Sequence, residues 1–190
     1  MSAGLIILLV AVGLLVIFGI YVLGLYNSLI RTNERVDEAW SDITVQLKYR
    51  ADLIPNLVET VKGYAKHETA AIKEVSEARA KMMGARSVQS TAEADKSLTG
   101  ALSRLMAISE AYPDQKANEN FQQLMSQLGD TEDKIQAARR FYNAGVKEIN
   151  AKIKMFPANI LFHKFKTREY YEVADTEKAK IEKAPEVSFK

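Results

Sequence analysis

The first thirty residues of the chain carry no charged side chain, and the stretch LIILLVAVGLLVIFGIYVLGLY from Leu5 to Tyr26 is almost wholly apolar. A helix of this length spans about 33 Å, which is enough to cross the hydrocarbon core of a bilayer. A cleaved signal peptide fits less well, because no basic region precedes the stretch and no small-residue cleavage site follows it. The sequence therefore predicts a retained transmembrane helix over residues 5–26, preceded by a short extracytoplasmic tail, residues 1–4.

Basic residues after this stretch set the predicted orientation. Arg31, Arg35, Lys48 and Arg50 follow the span, whereas the N-terminal tail offers only its α-amino group. Cytoplasmic flanks of membrane helices are enriched in lysine and arginine. We therefore expect a single-pass protein with Met1 outside the cell and residues 31–190 in the cytoplasm.

Composition excludes several functions. The 26 basic and 24 acidic residues nearly cancel, which gives no indication of a nucleic-acid partner, and the absence of cysteine excludes disulfides and thiolate chemistry. Only His67 and His163 could supply imidazole, and neither follows a carboxylate by three residues as a bundle metal site requires. We predict no catalytic residue, no metal site and no cofactor. One acidic group is predicted to be a solvated helix face: Glu34, Asp37, Glu38 and Asp42.

Apolar residues recur at steps of three and four, which predicts amphipathic helices over about 29–53, 56–84, 90–111 and 118–155. Ser90 and Glu93 have the spacing of a capping box that opens the third helix, and Pro113 marks the loop after it. The fourth helix carries a heptad seam typical of coiled-coil packing: Phe121, Leu124, Leu128, Thr131, Ile135, Ala138, Tyr142, Gly145 and Ile149.

Pro55 lies between the first two predicted helices and marks either a kink or a reversal. The apolar phase runs through it almost unbroken, which favours a kink, but proline suits a helix's first turn and pushes Ile54 out of the α region. Burial favours a reversal, since an unbroken helix would leave Trp40 and its neighbours uncovered. We predict an all-α fold, with an antiparallel up-and-down four-helix bundle over residues 27–157. The alternative is a long kinked first helix with two helices packed back on it.

Several residues on the apolar stripes are predicted to have special packing roles. Gly145 costs about 1 kcal/mol relative to alanine inside a helix, and a close approach by Trp40 would offset this cost. Three polar residues, Asn33, Arg50 and Arg139, lie on or beside the seams and need partners if they are buried. The candidate partners are Asp52, Asp130 and Glu132.

The segment over residues 158–171 is predicted to be amphipathic, aromatic and basic. In a reversed bundle the fourth helix returns towards the bilayer, which would bring this segment to the membrane surface as an interfacial helix. Ordinary core packing at the end of the bundle is the competing interpretation. The predicted interface residues are Leu161, Phe162, Lys164, Phe165 and Lys166. Residues 172–190 are predicted to be a polar C-terminal tail.

Three blocks of the sequence resemble the LemA family. They are YNSLIRTNERVDEAWSDITVQLKYRADLIPNLVETVKGYAKHE, YPDQKANENFQQLMSQLGDTEDKIQAARRFYNAGVKEIN and FPANILFHKFKTREYYE. This resemblance implies a single-pass protein of the bacterial inner membrane with a cytoplasmic helical bundle and no assigned enzyme activity. It also implies a membrane protease, or another membrane protein, as a partner.

Two functions from different classes fit these features. The first is a membrane-anchored, non-enzymatic scaffold or adaptor that self-associates, with the lipid bilayer and further copies of the chain as partners. The small pair Gly24 and Ser28 in the span favours helix association. The alternative is a sensory bundle that binds a ligand or a cation along its seam.

Overall fold

The computed structural model describes residues 2–64, 68–112 and 118–172, and within these ranges the fold is all-α. Pro113 and most of the predicted polar tail lie outside the described residues. The residues cluster into two compact units, Met1–Trp40 with Phe141–Arg168 and Ser41–Arg140 with Glu169–Lys190. The helices are α1 (Ala3–Tyr64), α2 (Thr69–Gly84), α3 (Val88–Ser109), α4 (Glu119–Lys154) and α5 (Ala158–Leu161).

The N-terminal part of α1 presents an apolar surface. Most large apolar side chains between Leu5 and Leu23 are exposed, and α1 is the helix of the described chain that is long and apolar enough to cross a membrane. Uncovered apolar area of this extent is rare on a protein surrounded by water and normal for one surrounded by lipid. The helix begins at Ala3, close to the predicted start of the span.

Helix α1 continues through Pro55, so the predicted reversal at this proline is wrong. Ile54, Leu57 and Val61 are all buried, which matches the unbroken apolar phase on both sides of the proline. An unbroken α1 does not leave Trp40 uncovered, because α4 runs back alongside α1 in the first unit. In the structure, the Trp40 ring lies 5.7 Å from the Tyr142 ring of α4.

A contact from α2 compensates for the proline. Pro55 has no N–H to donate to the carbonyl of Ala51, one turn earlier, and Ala51 is buried. Arg79 Nε donates to this carbonyl oxygen at 2.8 Å. A straight continuation of the helix would separate these two residues by about 42 Å. Helix α2 therefore lies back against α1, and the chain changes direction after Tyr64.

We expect Arg79→Ala to lower the free energy of unfolding by about 1.5–3 kcal/mol, because it removes a charged donor from a buried carbonyl. In a Pro55→Ala background the helix regains its own N–H donor, so the same substitution should cost roughly 1 kcal/mol less. Denaturant unfolding of the four proteins measures this coupling. Equal costs of Arg79→Ala in both backgrounds would show that Arg79 does not compensate for the proline.

Helices α2 and α3 are joined by a short connection and pack against each other. Arg104 of α3 pairs with Glu74 of α2 at 2.6 Å. The capping box of α3 is formed by Ser87 and Ser90, each side chain accepting from the other's backbone N–H. The predicted box at Ser90 and Glu93 is therefore wrong. The N-cap is Ser87 instead of Ser90, and the N3 residue is Ser90 instead of Glu93.

The heptad seam of α4 is confirmed by burial. Its bulky row is buried throughout, and in the other row Ala138 is half-buried while Thr131 and Gly145 are buried. In the first unit this seam faces α1. Ser28 of α1 contacts Lys152 of α4, and Trp40, later in α1, contacts Tyr142, earlier in α4. The two segments are therefore antiparallel. The bulky row is Phe121, Leu128, Ile135, Tyr142 and Ile149.

The close neighbour of Gly145 is Val36 and not Trp40. A Cβ atom built on Gly145 would lie 3.0 Å from Val36 Cγ2, at the lower limit of real contacts. Val36 lies one turn before Trp40 on the same face of α1 and is fully buried. The prediction of a close approach at Gly145 therefore named the correct face of α1 and the wrong residue.

Gly145→Leu is expected to destabilise the protein by about 1–3 kcal/mol, because the added side chain overpacks against Val36. Gly129→Leu is the matched control on the same helix, since, apart from the adjacent backbone of that helix, no atom of the described residues lies within 4 Å of its Cβ position. There a leucine should be neutral or stabilising by up to about 0.8 kcal/mol through helix propensity. Thermal unfolding of both variants tests this, and equal stability changes would contradict tight packing at Gly145.

Candidate functional site

The second unit contains a buried ion-pair network around Arg50. The Arg50 side chain is 2% exposed, and its guanidinium pairs with two carboxylates, Asp95 of α3 and Glu132 of α4. Asp95 is buried, whereas Glu132 is half-buried at the edge of the network. A buried charge is tolerated only when paired and hydrogen-bonded, so Arg50 joins three helices at one point.

The network extends to the C-terminal end of the described chain. Tyr171 donates its hydroxyl to Asp95 Oδ2 at 2.8 Å, and the Arg139 guanidinium lies 4.8 Å from the centre of the Tyr171 ring. Arg139 also approaches Asp95 at 3.8 Å. Burial of the phenol and the adjacent Asp95 carboxylate raise the pKa of Tyr171 well above its usual value, so it remains a neutral donor. Tyr171 is thereby held against α3 and α4.

Part of this network was predictable from the sequence. Among the predicted partners, Glu132 contacts Arg50, whereas Asp52 pairs with Lys48 at 2.7 Å and Arg139 uses Asp95 instead. Extending the predicted α3 stripe back by three residues from Leu98 would have found Asp95. Tyr171 lies outside any helix, and no periodic signal points to it. Asp130 is exposed.

An apolar groove lies beside this network between α3 and α4. Its volume is about 380 Å³, and its walls include buried Leu102 and Leu128 with partly exposed Met106 and Met125. Arg50 and Glu132 contribute the charged part of the lining. Methionine side chains adapt their shape to apolar ligands, which gives the groove the character of a small-molecule site.

A polar cluster joins α1 and α4 in the first unit. Lys152 Nζ donates to Ser28 Oγ at 3.0 Å and to Thr32 Oγ1 at 2.7 Å, and it pairs with Glu148 at 2.7 Å. The hydrogen bond from Lys152 holds the pKa of Glu148 below its usual value. Ser28 is therefore engaged within the chain. Of the two small residues predicted to favour helix association, only Gly24 has open space at its Cβ position.

Within the first unit, Arg168 holds the segment after α5 against α1 and α4. The Asn150 side chain exchanges two hydrogen bonds with the Arg168 backbone, at 2.8 and 2.9 Å, and the Arg168 guanidinium pairs with Asp37. Asp37 also accepts from Asn33 at 3.1 Å. The predicted pairing of Asn33 with Asp52, Asp130 or Glu132 is therefore wrong. The acidic face of α1 holds the C-terminal segment instead of being only solvated.

Aromatic rings cluster at the end of the apolar stretch of α1. The Tyr26 ring lies 5.5 Å from the Phe162 ring and 6.1 Å from the Phe165 ring, centre to centre. Only Ala158–Leu161 is helical here, so the interfacial helix predicted over residues 158–171 is wrong in its extent. A helix of about one turn is too short to form separate apolar and polar faces. The aromatic side chains come largely from the irregular backbone that follows it. We call residues 155–166 the aromatic segment.

The described ranges contain no group of three or more histidine, aspartate or glutamate side chains placed to hold a metal ion. The described parts of the chain thus offer a buried charge network, an apolar groove, and an aromatic cluster beside an apolar helix. Together with the uncovered apolar start of α1, these features define a membrane-associated helical protein.

Comparison with known proteins gives the family. The LemA family model matches residues 39–189, and the chain belongs to this family. The chain is 27% identical over 172 residues to Protein LemA of Metamycoplasma hominis, an alignment that covers 88% of this chain and 75% of the relative.

Magnetosome proteins are also similar. The chain is 27% identical over 174 residues to Magnetosome protein MamQ of Magnetospirillum gryphiswaldense, covering 77% of this chain and 64% of the relative. Magnetosome protein MamQ 2 of Paramagnetospirillum magneticum is 26% identical over 175 residues with the same coverage of both chains. The aligned part of this chain thus spans just under two thirds of the MamQ proteins.

Proposed function

We propose that this protein is a membrane-anchored, non-enzymatic scaffold that self-associates in the bacterial inner membrane, with its N-terminus outside and its helical units in the cytoplasm. The observation that carries this proposal is the continuity of α1. One helix begins as an uncovered apolar stretch and, without a break, supplies core residues such as Leu29 and Leu47. A span joined to folded units by a continuous helix can hold them at the membrane without a flexible linker.

Self-association is supported by an apolar pair on α1 in the second unit. Val45 and Tyr49 lie one turn apart on the same face and are 59% and 46% exposed. An exposed apolar pair of this kind on an otherwise polar helix face is a suitable contact for a second copy of the chain. The LemA and MamQ names do not describe enzymes, which agrees with a scaffold role.

The mass of the detergent-solubilised protein tests the proposal. Light scattering coupled to size exclusion should give a defined multiple of the 21.3 kDa chain. Val45→Lys should shift the protein towards the monomer, and Thr44→Lys, at the adjacent exposed position, should not. A monomer at every concentration for the unmodified chain would refute self-association.

A ligand-binding bundle is the second candidate, favoured by the apolar groove between α3 and α4. A neutral apolar dye such as Nile red is a suitable probe, because the groove is lined by leucines and methionines and its Arg50 is already paired with Asp95 and Glu132. Binding that raises the unfolding temperature and is lost in Met106→Lys would support this function. Unchanged fluorescence and melting would exclude the groove as a site for such ligands.

A further inference from the structure

The aromatic segment exposes apolar side chains that the described part of the chain does not cover. Phe156 is 78% exposed and Ile160 is 66% exposed, and Met155 and Leu161 are also exposed. Apolar side chains grouped in this way on a short segment mark a contact with a partner or with lipid.

The segment lies against the end of the apolar stretch of α1. Phe162 and Phe165 contact the Tyr26 ring, and Tyr26 is the last residue of the apolar stretch that begins at Leu5. Tyrosine at the end of a span favours the interface between acyl chains and headgroups. The aromatic segment is thus continuous with a surface that already meets the bilayer.

Charge in this segment has a single sign. Between Met155 and Thr167 the sequence contains Lys164 and Lys166 and no aspartate or glutamate, and both lysines are exposed. Glu148, an acidic residue of the first unit, is engaged by Lys152. A groove of about 260 Å³ beside Tyr26 combines apolar walls from Phe162 and Phe165 with a cationic margin from Lys164.

From these observations we infer that the aromatic segment is a second membrane contact, which binds the surface of an anionic leaflet next to the span. Phe156, Ile160 and Leu161 enter the interface, and Lys164 and Lys166 bind lipid phosphates. An anionic phospholipid matches both parts of this segment, because its acyl chains accept the apolar side chains and its negative headgroup attracts the lysines. A neutral leaflet matches only the apolar part. This inference depends on the anchoring in the proposed function and not on self-association.

The chain has no cysteine, so single labels can report position in the membrane. Three full-length variants, Val12→Cys in the span, Ile160→Cys in the aromatic segment and Ala137→Cys on an exposed face of α4, receive an environment-sensitive fluorophore. They are reconstituted in phosphatidylcholine vesicles with or without phosphatidylglycerol. Quenchers attached to acyl chains and quenchers dissolved in water then report which phase surrounds each label.

The inference predicts that the label at position 160 is quenched from the lipid and that phosphatidylglycerol strengthens this quenching, while the label at position 137 is quenched only from water. A label at 160 in water, with a label at 12 in lipid, overturns the inference and leaves the anchor intact. A label at 12 in water refutes the anchor itself. Protection of position 160 from both quenchers would indicate a protein partner instead of lipid, and would also overturn it.

The lysines are tested in the Ile160→Cys background. Lys164→Gln with Lys166→Gln should lower the ratio of docked to undocked segment in phosphatidylglycerol vesicles by up to about 25-fold, since each lysine near an anionic surface contributes about 5-fold. The control pair Lys73→Gln with Lys134→Gln, two exposed lysines of the second unit, should leave the ratio unchanged. Equal effects of the two pairs would contradict binding of the anionic surface by Lys164 and Lys166.

Discussion

Replacing Arg50 by methionine is expected to lower the free energy of unfolding by about 3–5 kcal/mol. The substitution removes the cation that Asp95 and Glu132 share and leaves the Asp95 carboxylate buried, with Arg139 at 3.8 Å as its remaining cation. Coulombic attraction is strong at low dielectric, but the larger effect of the substitution is the desolvation of a carboxylate that has lost its closest cation.

Urea unfolding of the full chain in detergent measures this loss. Arg35→Met is the matched control, because Arg35 pairs with Glu148 at 3.5 Å while half of its side chain is exposed, and such pairs contribute at most about 1 kcal/mol. The double variant Arg50→Met with Asp95→Leu should recover much of the loss, since no buried charge is left unpaired. A cost for Arg50→Met no greater than that of Arg35→Met would show that the network does not stabilise the fold.

Tyr142→Ala is expected to cost about 3–5 kcal/mol, the usual range for removing a buried aromatic ring. The Tyr142 side chain is 1% exposed and its ring packs 5.7 Å from that of Trp40, so truncation would leave a cavity between α1 and α4. Neither helix can close this cavity easily, because Val36 and Gly145 already hold the backbones together one turn away.

The adjacent residue provides the control for this prediction. Phe141 is also aromatic but 53% exposed, so Phe141→Ala should change stability by no more than about 0.5 kcal/mol. Thermal unfolding of both variants under identical conditions compares the two faces of α4. Similar losses for the two substitutions would contradict the packing of the α4 seam against α1.

The seam of α4 could be predicted from the sequence because heptad spacing is a local property of one helix. Residues such as Ile135 and Ile149 are buried where the pattern placed them. The continuation of α1 through Pro55 could not be predicted, because the compensating donor is Arg79, which lies 28 positions after the Ala51 carbonyl that it contacts. Proline rules describe what a helix loses locally, and they contain nothing about a donor supplied by another helix.

The candidate site was partly predictable for a similar reason. Arg50 interrupts an apolar stripe, so its need for a partner is visible in the sequence, and Glu132 was among the expected partners. The contribution of Tyr171 depends on the path of irregular backbone after α5, which no periodicity encodes. The aromatic character of residues 158–171 was visible, whereas the contact of Phe162 with Tyr26 required the structure.

Accessibility of single cysteines tests most directly the claim that one span holds the helical units at the cytoplasmic face. Spheroplasts containing Ser2→Cys or Ala137→Cys are treated with a membrane-impermeant maleimide before and after lysis. The account predicts labelling of position 2 in intact spheroplasts, labelling of position 137 only after lysis, and release of both proteins from membranes by detergent but not by alkaline carbonate. Labelling of position 137 in intact spheroplasts, or release by carbonate, would contradict it.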